Sequence, residues 1–370
     1  MKEPKFKRYN RRQFLFFFKR ALYILFAWVL ISNLLFFYEF LTLYSNGILD
    51  SDYDFNQSFY ANLIVAVTAG IIGGTLTVNL MDRWLRNNAF WKALLYITVA
   101  YVIGAMVVST FGALYFYSEE LGLPFYDAQV TVKFKAFFGT WLFIKNFVVW
   151  LFIVIVTLIV LMVNEKYGPG VFPDYLLGRY FRPKKERRIF MFADIKNATG
   201  IAESLGETKY FNFLKDFFRD IAPAIVQCRG EVYQYVGDEI VISWKMKYGL
   251  RSGNTIRCFY NMKRMLRYRK ERYMDRYGYF PEFKVGIHCG TVMVGEIGKI
   301  KREIAFSGDV LNTTSRIQEQ CKVYDVDILA SETFADLAYT LPRGIVKKDL
   351  GDETLRGKAE DTGIVTYVRE

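Results

Sequence analysis

Residues 189–194, which read IFMFAD, decide the fold of the C-terminal half of this 370-residue chain. An apolar run of this length, bounded by charged residues, predicts a buried strand, which we place at Arg188 to Ala193. Asp194 follows at once, so its carboxylate stands where the strand ends. A carboxylate in that place is a candidate ligand or catalytic group.

The sequence after this strand alternates helical and strand-like periods. The predicted elements are a helix from Thr208 to Gln227, a hairpin from Glu231 to Val236 and Glu239 to Trp244, a helix from about Gly253 to Arg276, and strands at Phe283 to His288 and Val292 to Ile297. This order predicts an α+β domain of the ferredoxin-like βαββαβ type.

A second aspartate, Asp238, lies in the tight Gly237-Asp238 turn of the hairpin. If the hairpin is the neighbour of the first strand, Asp194 and Asp238 project from the same edge of one sheet. Their hard oxygen ligands suit Mg²⁺ or Mn²⁺, and two such ions can activate a hydroxyl and neutralise a phosphate leaving group. A Gly-Asp turn alone is common, so it indicates little without its partner.

A later helix, which begins after Gly308-Asp309, carries Asn312 and Arg316. Residues four apart share one helix face, so this pair can hold one substrate. The Asn side chain can bind a ribose, and the Arg side chain can stabilise charge that develops on a phosphate.

These motifs together resemble the class III adenylate and guanylate cyclases. The matching residues are 192–195 (FADI) with Thr199, 235–239 (YVGDE) and 308–316 (GDVLNTTSR), and the resemblance runs from about Arg187 to the C-terminus. It implies a head-to-tail homodimer with composite sites, in which Asp194 and Asp238 of one chain face Asn312 and Arg316 of the other.

The resemblance also implies the remaining site residues. Each site would hold two Mg²⁺ or Mn²⁺ ions, with Ile195 joining Asp194 and Asp238 as a metal ligand. The main chain from Ile195 to Thr199 would cradle phosphate, as donors at a helix start do. Lys358 would bind the triphosphate.

The positions that read the base, Gln234 and Ala305, depart from the family's pattern. Adenylate cyclases usually have Lys with Asp or Thr there, and guanylate cyclases have Glu with Cys. A glutamine side chain donates and accepts hydrogen bonds, so it fits adenine, guanine or a pyrimidine. We expect ATP as the substrate, with a guanylate or pyrimidine nucleotide cyclase as the alternative.

The N-terminal half is strongly apolar. Four stretches are long enough to cross a membrane: Ala21 to Tyr44, Phe59 to Met81, Ala89 to Tyr117 and Ala136 to Val163. We therefore expect a basic N-terminus (1–20), a four-helix transmembrane domain (21–164), a linker (165–186) and a catalytic domain (187–370).

The chain has a net charge of +12, and its basic residues cluster beside these apolar segments, at Lys5 to Arg20 and Arg182 to Arg188. Such flanks favour membrane lipid over nucleic acid as the partner. The basic N-terminus and the Asp82 to Asn88 link should lie inside. We expect an integral protein of the plasma or inner membrane, with its N-terminus and catalytic domain in the cytoplasm.

Two features of the membrane half have no assigned role. Glu39 and Lys145 would both lie toward the outer side, where they could pair or reach the interface separately. Gly70 and Gly74 have a spacing that allows close helix approach, either within the chain or between two chains.

Three rival functions differ in class. A diguanylate cyclase would share the Gly-Asp-Glu hairpin, but it leaves Asn312 and Arg316 unexplained. A non-catalytic membrane sensor or scaffold would use the cyclase-like domain only to dimerise. A transporter or channel has little support, because the apolar stretches contain few ionisable residues. His288, the single histidine, reads as a strand residue, and the four cysteines read as reduced thiols.

Overall fold

A computed structural model describes residues 4–49, 53–83, 90–167, 178–300, 302–355 and 361–370. The chain separates into two compact units, Met1–Glu165 and Lys166–Glu370. The finer division into four segments stays a prediction. Of the predicted linker (165–186), residues 168–177 lie outside the described part.

The N-terminal unit is helical where it is described. Its helices are α1 (Pro4–Ser45), α2 (Phe55–Arg83), α3 (Phe90–Leu121), α4 (Ala128–Phe137) and α5 (Trp141–Tyr167). Within the described residues, four segments are long and apolar enough to cross a membrane: Phe18–Ser45, Ser58–Thr75, Thr98–Ser118 and Phe143–Leu161. Their number and order agree with the predicted stretches.

The fourth predicted stretch, Ala136 to Val163, is wrong at its start. Asp127 caps α4 by accepting a hydrogen bond from the Gln129 N–H at 2.8 Å. After α4 ends, the Thr140 hydroxyl accepts a hydrogen bond from the Phe143 N–H at 3.2 Å and so starts a new helix. Two local caps therefore divide what the apolar composition alone reads as one helix.

Helices α1 and α2 pack closely through the glycines of α2. A Cβ on Gly70 would lie 2.5 Å from Leu25 Cδ1, and one on Gly74 would lie 3.0 Å from the Ala21 carbonyl oxygen. Packing within the chain, one of the two expected uses of this glycine pair, is present. A Cβ on Gly104 of α3 would meet nothing within 4 Å.

The pairing considered for Glu39 and Lys145 is present. The Lys145 ammonium lies 2.8 Å from Glu39 Oε1, and both side chains are 46% exposed. The pair joins α1 to α5. Deeper in the unit, the Trp28 indole N–H donates to the Thr157 hydroxyl at 3.0 Å and joins the same two helices.

The C-terminal unit is an α+β domain. Its elements are β1 (Lys184–Ile195), α6 (Ala198–Leu205), α7 (Glu207–Gln227), β2 (Glu231–Val236), β3 (Glu239–Lys245), α8 (Met246–Gly249), a 3₁₀ turn (Arg251–Gly253), α9 (Asn254–Arg267), α10 (Lys270–Tyr277), β4 (Phe283–Ile297), β5 (Glu303–Ser307), α11 (Asp309–Gln320), β6 (Ile328–Ser331), α12 (Glu332–Ala335), β7 (Ile345–Glu353) and β8 (Thr362–Arg369).

The strands form one sheet in the order β2-β3-β1-β4-β6-β8-β7, and β5 pairs with the C-terminal part of β4. Strand β1 is antiparallel to both of its neighbours, β3 and β4. The part β2-β3-β1-β4, with its helices between β1 and β2 and between β3 and β4, is the predicted βαββαβ core.

The two faces of the sheet bury different partners. Phe190 and Phe192 of β1 point to the face that carries α11, which we call the front face. The alternate residues, among them Ile189 and Met191, point to the back face, because successive strand residues alternate. There, Phe217 of α7 contacts the Phe283 ring with centroids 5.9 Å apart.

Two predicted elements are wrong in detail. The strands expected at Phe283 to His288 and Val292 to Ile297 are one continuous strand, β4. Gly290 lies within this strand and lets α11 approach closely, since a Cβ there would lie 2.6 Å from Val310 Cγ2. The helix expected from Gly253 to Arg276 breaks at Arg269, whose φ of −112° and ψ of 10° are not helical.

Candidate active site

Asp194 lies near the end of β1, at the centre of the sheet. It pairs with Glu239 on β3 and with Lys284 on β4, so all three side chains share the front face. Its Oδ2 accepts a hydrogen bond from Gln318 Nε2 at 3.2 Å and lies 3.6 Å from Lys284 Nζ. The carboxylate is therefore held by one contact from β4 and one from α11.

Asp238 is brought to the same edge by the turn between β2 and β3. Gly237 has a φ of 61°, which lets the turn close tightly before Asp238. Burial, a hydrogen bond with Asp194 and the charge of Asp194 together raise the pKa of Asp238 to about 6. The two carboxylates predicted from sequence thus meet at one place.

Other groups at this edge respond to the same negative charge. Burial, with the charges of Asp194 and Asp238, raises the pKa of Glu239 to about 7. Burial and the same two carboxylates raise the pKa of Tyr210 to about 12. The edge therefore has an excess of negative charge that a cation would neutralise.

The donor set fits magnesium or manganese. Mg²⁺ is usually bound by one or two carboxylates, with waters and substrate phosphates completing its ligands. Across the described residues, no group of three or more His, Cys, Asp or Glu side chains forms a complete protein cage. A carboxylate pair next to an uncapped helix start suits such an ion together with a substrate phosphate.

The chain that follows Asp194 turns directly into a helix. Ile195 is buried at the end of β1, and the Lys196 N–H donates to the Glu282 carbonyl at 2.8 Å. Asn197 then has a φ of 53°, and its side chain makes no capping hydrogen bond to α6. The first N–H groups of α6, where exposed Thr199 lies, have no side-chain cap and are available to an anion.

Asn312 and Arg316 lie on the side of α11 that faces away from the sheet. Val310, Thr314 and Gln318 are buried against β4. A helix turns about 100° per residue, so the positions two residues away from these face the opposite side. Asn312 is exposed, and the Arg316 Nη1 atom is buried with no hydrogen-bond partner in the described part of the chain.

Within one chain, Asn312 and Asp194 lie far apart. Val310, at the start of α11, contacts β4 at Gly290, which pairs with Arg188. Asp194, which pairs with Lys284, lies about 20 Å from Arg188 along β1 at the usual rise per residue. Asn312 therefore does not meet Asp194 of its own chain.

The remaining predicted residues lie on β2, on β5 and outside the described residues. Gln234 is exposed on the edge strand β2, opposite Val241, and Ala305 of β5 pairs with Gly295. A contact joins their neighbours, because the Phe306 N–H donates to the Tyr233 hydroxyl at 3.3 Å. Lys358 lies outside the described residues.

Lys284 and Gln318 are the site residues that sequence reasoning missed. Neither belongs to the motifs that identified the aspartates and the Asn-Arg pair. The register of β1 against β4 places Lys284 opposite Asp194, and the buried stripe of α11 includes Gln318. Strand pairing, if it had been worked out from the predicted sheet, would have identified the lysine.

The fold and this edge of the sheet define a nucleotide cyclase domain, and the chain belongs to the adenylate and guanylate cyclase catalytic domain family, which matches residues 182–368. It is similar to Adenylate cyclase 2 of Rhizobium meliloti (strain 1021), at 31% identity over 209 residues, which are 56% of this chain and 57% of that protein. It is also similar to Adenylate cyclase of Anabaena cylindrica, at 27% identity over 190 residues, which are 49% of this chain and 36% of that protein. The chain thus spans little more than half of the first relative and about a third of the second.

Among solved structures, the chain is similar to the adenylyl cyclase CyaB from P. aeruginosa, with a TM-score of 0.45 and 17% identity, covering 51% of this chain and 97% of that one. It is also similar to the guanylyl cyclase Cya2, with a TM-score of 0.43 and 19% identity, covering 50% of this chain and 92% of that one.

Proposed function

We propose that this chain is a membrane-anchored cyclase that converts ATP to 3′,5′-cyclic AMP and pyrophosphate. The single observation that carries the proposal is the meeting of Asp194 and Asp238 at one edge of the sheet, in a chain of this family. The names of the relatives, which are adenylate cyclases, favour ATP.

In the proposed reaction, the ribose 3′-oxygen attacks the α-phosphorus, and the bond to the pyrophosphate oxygen breaks. When bound, two divalent cations would activate the ribose 3′-hydroxyl and neutralise the charge of the pyrophosphate leaving group. Asp194, Asp238 and Ile195 would hold them. The uncapped start of α6, up to Thr199, would bind phosphate oxygens through its N–H groups.

Asn312 and Arg316 would act in the site of a second copy of the chain. Their side of α11 faces away from the sheet that carries Asp194, and the Arg316 Nη1 atom has no hydrogen-bond partner among the described residues. In a head-to-tail homodimer, Asn312 would orient the ribose and Arg316 would stabilise charge that develops on the transferred phosphate. Lys358 would bind the triphosphate.

The base is the open part of this proposal. Gln234 and Ala305 would line its pocket, and a glutamine with a small apolar partner accepts more than one base. Guanylate or pyrimidine cyclase activity is therefore the second candidate. An assay that offers ATP, GTP, CTP and UTP in parallel, with products resolved by mass spectrometry, decides between them. Cyclic AMP as the main product supports the proposal. Another cyclic nucleotide as the main product would show that its parent triphosphate, and not ATP, is the substrate.

The rival of another class is a non-catalytic sensor or scaffold that uses this domain to dimerise. Purified chain with Mn²⁺ or Mg²⁺ should release pyrophosphate and a cyclic nucleotide, and excess chelator should stop the release. Formation of dimers without turnover of any of the four nucleotides would favour the rival.

The four apolar segments would anchor the chain in membrane lipid, with the N-terminus and the catalytic unit in the cytoplasm. The support is their length and hydropathy and the basic flanks of the sequence. Protease digestion of sealed inverted vesicles tests the orientation. The catalytic unit should be digested there and protected in right-side-out vesicles, and the reverse pattern would contradict the topology.

A further inference from the structure

The buried side of α11 touches the metal-binding carboxylate of its own chain. Gln318 is 4% exposed, and its amide Nε2 donates to Asp194 Oδ2 at 3.2 Å. The other side of the same helix carries Asn312 and Arg316. A single helix therefore contacts one proposed site through Gln318 and offers its opposite face to the other.

The helix is held too tightly against β4 for Gln318 to move freely. A Cβ on Gly286 would lie 2.5 Å from the Gln318 backbone N and 2.6 Å from the Thr314 carbonyl oxygen. The base of the Gln318 side chain is thus fixed on the strand next to Asp194. Its amide has a defined reach to one carboxylate oxygen.

The contacts that Lys284 and Gln318 make with the carboxylate fall on the same atom. Lys284 Nζ lies 3.6 Å from Oδ2, the oxygen that already accepts from Gln318. A carboxylate that is held by one oxygen has its rotation fixed, so its other oxygen is directed to a constant place. Hydrogen bonds to charged groups are among the stronger ones in proteins.

We infer that Gln318 is a positioning residue: it fixes the rotation of the Asp194 carboxylate for metal binding and ties that carboxylate to the helix that presents Asn312 and Arg316 to the second copy. The inference rests on the proposed function. Gln318 touches neither substrate nor metal, and it acts through Asp194.

Direct metal binding tests this role without relying on turnover. Full-length chain in lipid nanodiscs, without nucleotide, is titrated with Mn²⁺, and free Mn²⁺ is measured by electron paramagnetic resonance. Gln318→Met keeps the length of the side chain and removes the donor. We expect a Mn²⁺ dissociation constant about tenfold higher than that of the wild type, given the usual strength of a hydrogen bond to a charged group.

Gln320→Met is the matched control, because it makes the same change two positions further along α11. Among the described residues, the Gln320 Oε1 atom is buried without a hydrogen-bond partner, and the hydrogen bond from α11 to Asp194 comes from Gln318. It should bind Mn²⁺ as the wild type does. Equal weakening in both variants would overturn the inference, as would unchanged affinity in Gln318→Met.

Gln318→Asn provides a second test with a smaller change in packing. Its amide is one methylene shorter and falls short of Oδ2, so the Mn²⁺ dissociation constant should again rise. Asp194→Ala separates the two claims. If it binds Mn²⁺ like the wild type, the proposed metal site fails and the inference fails with it. If only Asp194→Ala loses affinity, the inference alone fails.

Discussion

The two halves of this chain differ in how their residues are used. In the catalytic unit, single side chains have defined partners at the site, such as Asp194, whose Oδ2 is contacted by Gln318 and Lys284. In the membrane unit, helices are specified by apolar length, and polar ties such as Trp28 to Thr157 are spaced along them. Substitutions should therefore have large, residue-specific effects in the C-terminal catalytic unit and mild effects in the N-terminal helical unit.

The largest effect is expected where this contrast is strongest. Asp194→Ala and Asp238→Ala should each reduce kcat on the order of 10³-fold or more, because each removes a ligand of the proposed cations. Initial rates of pyrophosphate release at saturating Mn²⁺ measure this loss. Asp352→Ala, which removes an exposed carboxylate on β7, should keep the wild-type rate. Turnover near the wild-type rate in both active-site variants would contradict the metal assignment.

Arg316→Ala should come next. It should lower kcat on the order of 10²-fold and leave KM nearly unchanged, because the guanidinium is proposed to act on charge that develops in the transition state. Steady-state kinetics on the full-length chain provide both constants. Arg343→Ala removes an exposed arginine and serves as the control. A higher KM with an unchanged kcat would show that Arg316 only binds the substrate.

Two glycines compare the halves by packing. Gly286→Ala should destabilise the catalytic unit by about 1–3 kcal/mol, since its Cβ would overlap the backbone of α11. Gly104→Ala in α3 adds a methyl group into open space, so stability should be unchanged or slightly higher. Thermal unfolding followed by tryptophan fluorescence measures both. Equal destabilisation in the two variants would remove the contrast.

The Glu39–Lys145 pair should give the smallest effect. Both side chains are about half exposed, and pairs of this kind contribute roughly 0.2–1 kcal/mol. A double-mutant cycle of Glu39→Gln and Lys145→Met, measured by thermal unfolding in nanodiscs, should give a coupling energy in that range and leave cyclase activity unchanged. A large loss of activity in Glu39→Gln would instead assign the pair a coupling role.

Much of the catalytic fold could be predicted from sequence because its signals are local. The predicted bounds of α7 and of the two hairpin strands around Asp238 were confirmed to within one residue. The break expected between the strands Phe283 to His288 and Val292 to Ile297 is absent from β4, because local sequence does not distinguish a turn from a strand glycine that a helix covers. That helix, α11, lies distant in sequence.

The candidate site was predictable in its motifs and less so in its support. Asp194 and Asp238 could be paired from strand order alone. Gln318 could not, because its role depends on which side of α11 meets β4, and only tertiary packing fixes that side. The base-reading residues Gln234 and Ala305 remain undecided for a chemical reason, since their side chains suit several bases.

The measurement that tests the central claim most directly is complementation between two inactive chains. Asp194→Ala and Arg316→Ala chains are co-expressed in equal amounts, and cyclase activity is measured in the same membranes. If sites are shared between two copies, each mixed dimer contains one intact site, and about a quarter of wild-type activity should return. Activity no higher than that of the two parents would contradict the composite site.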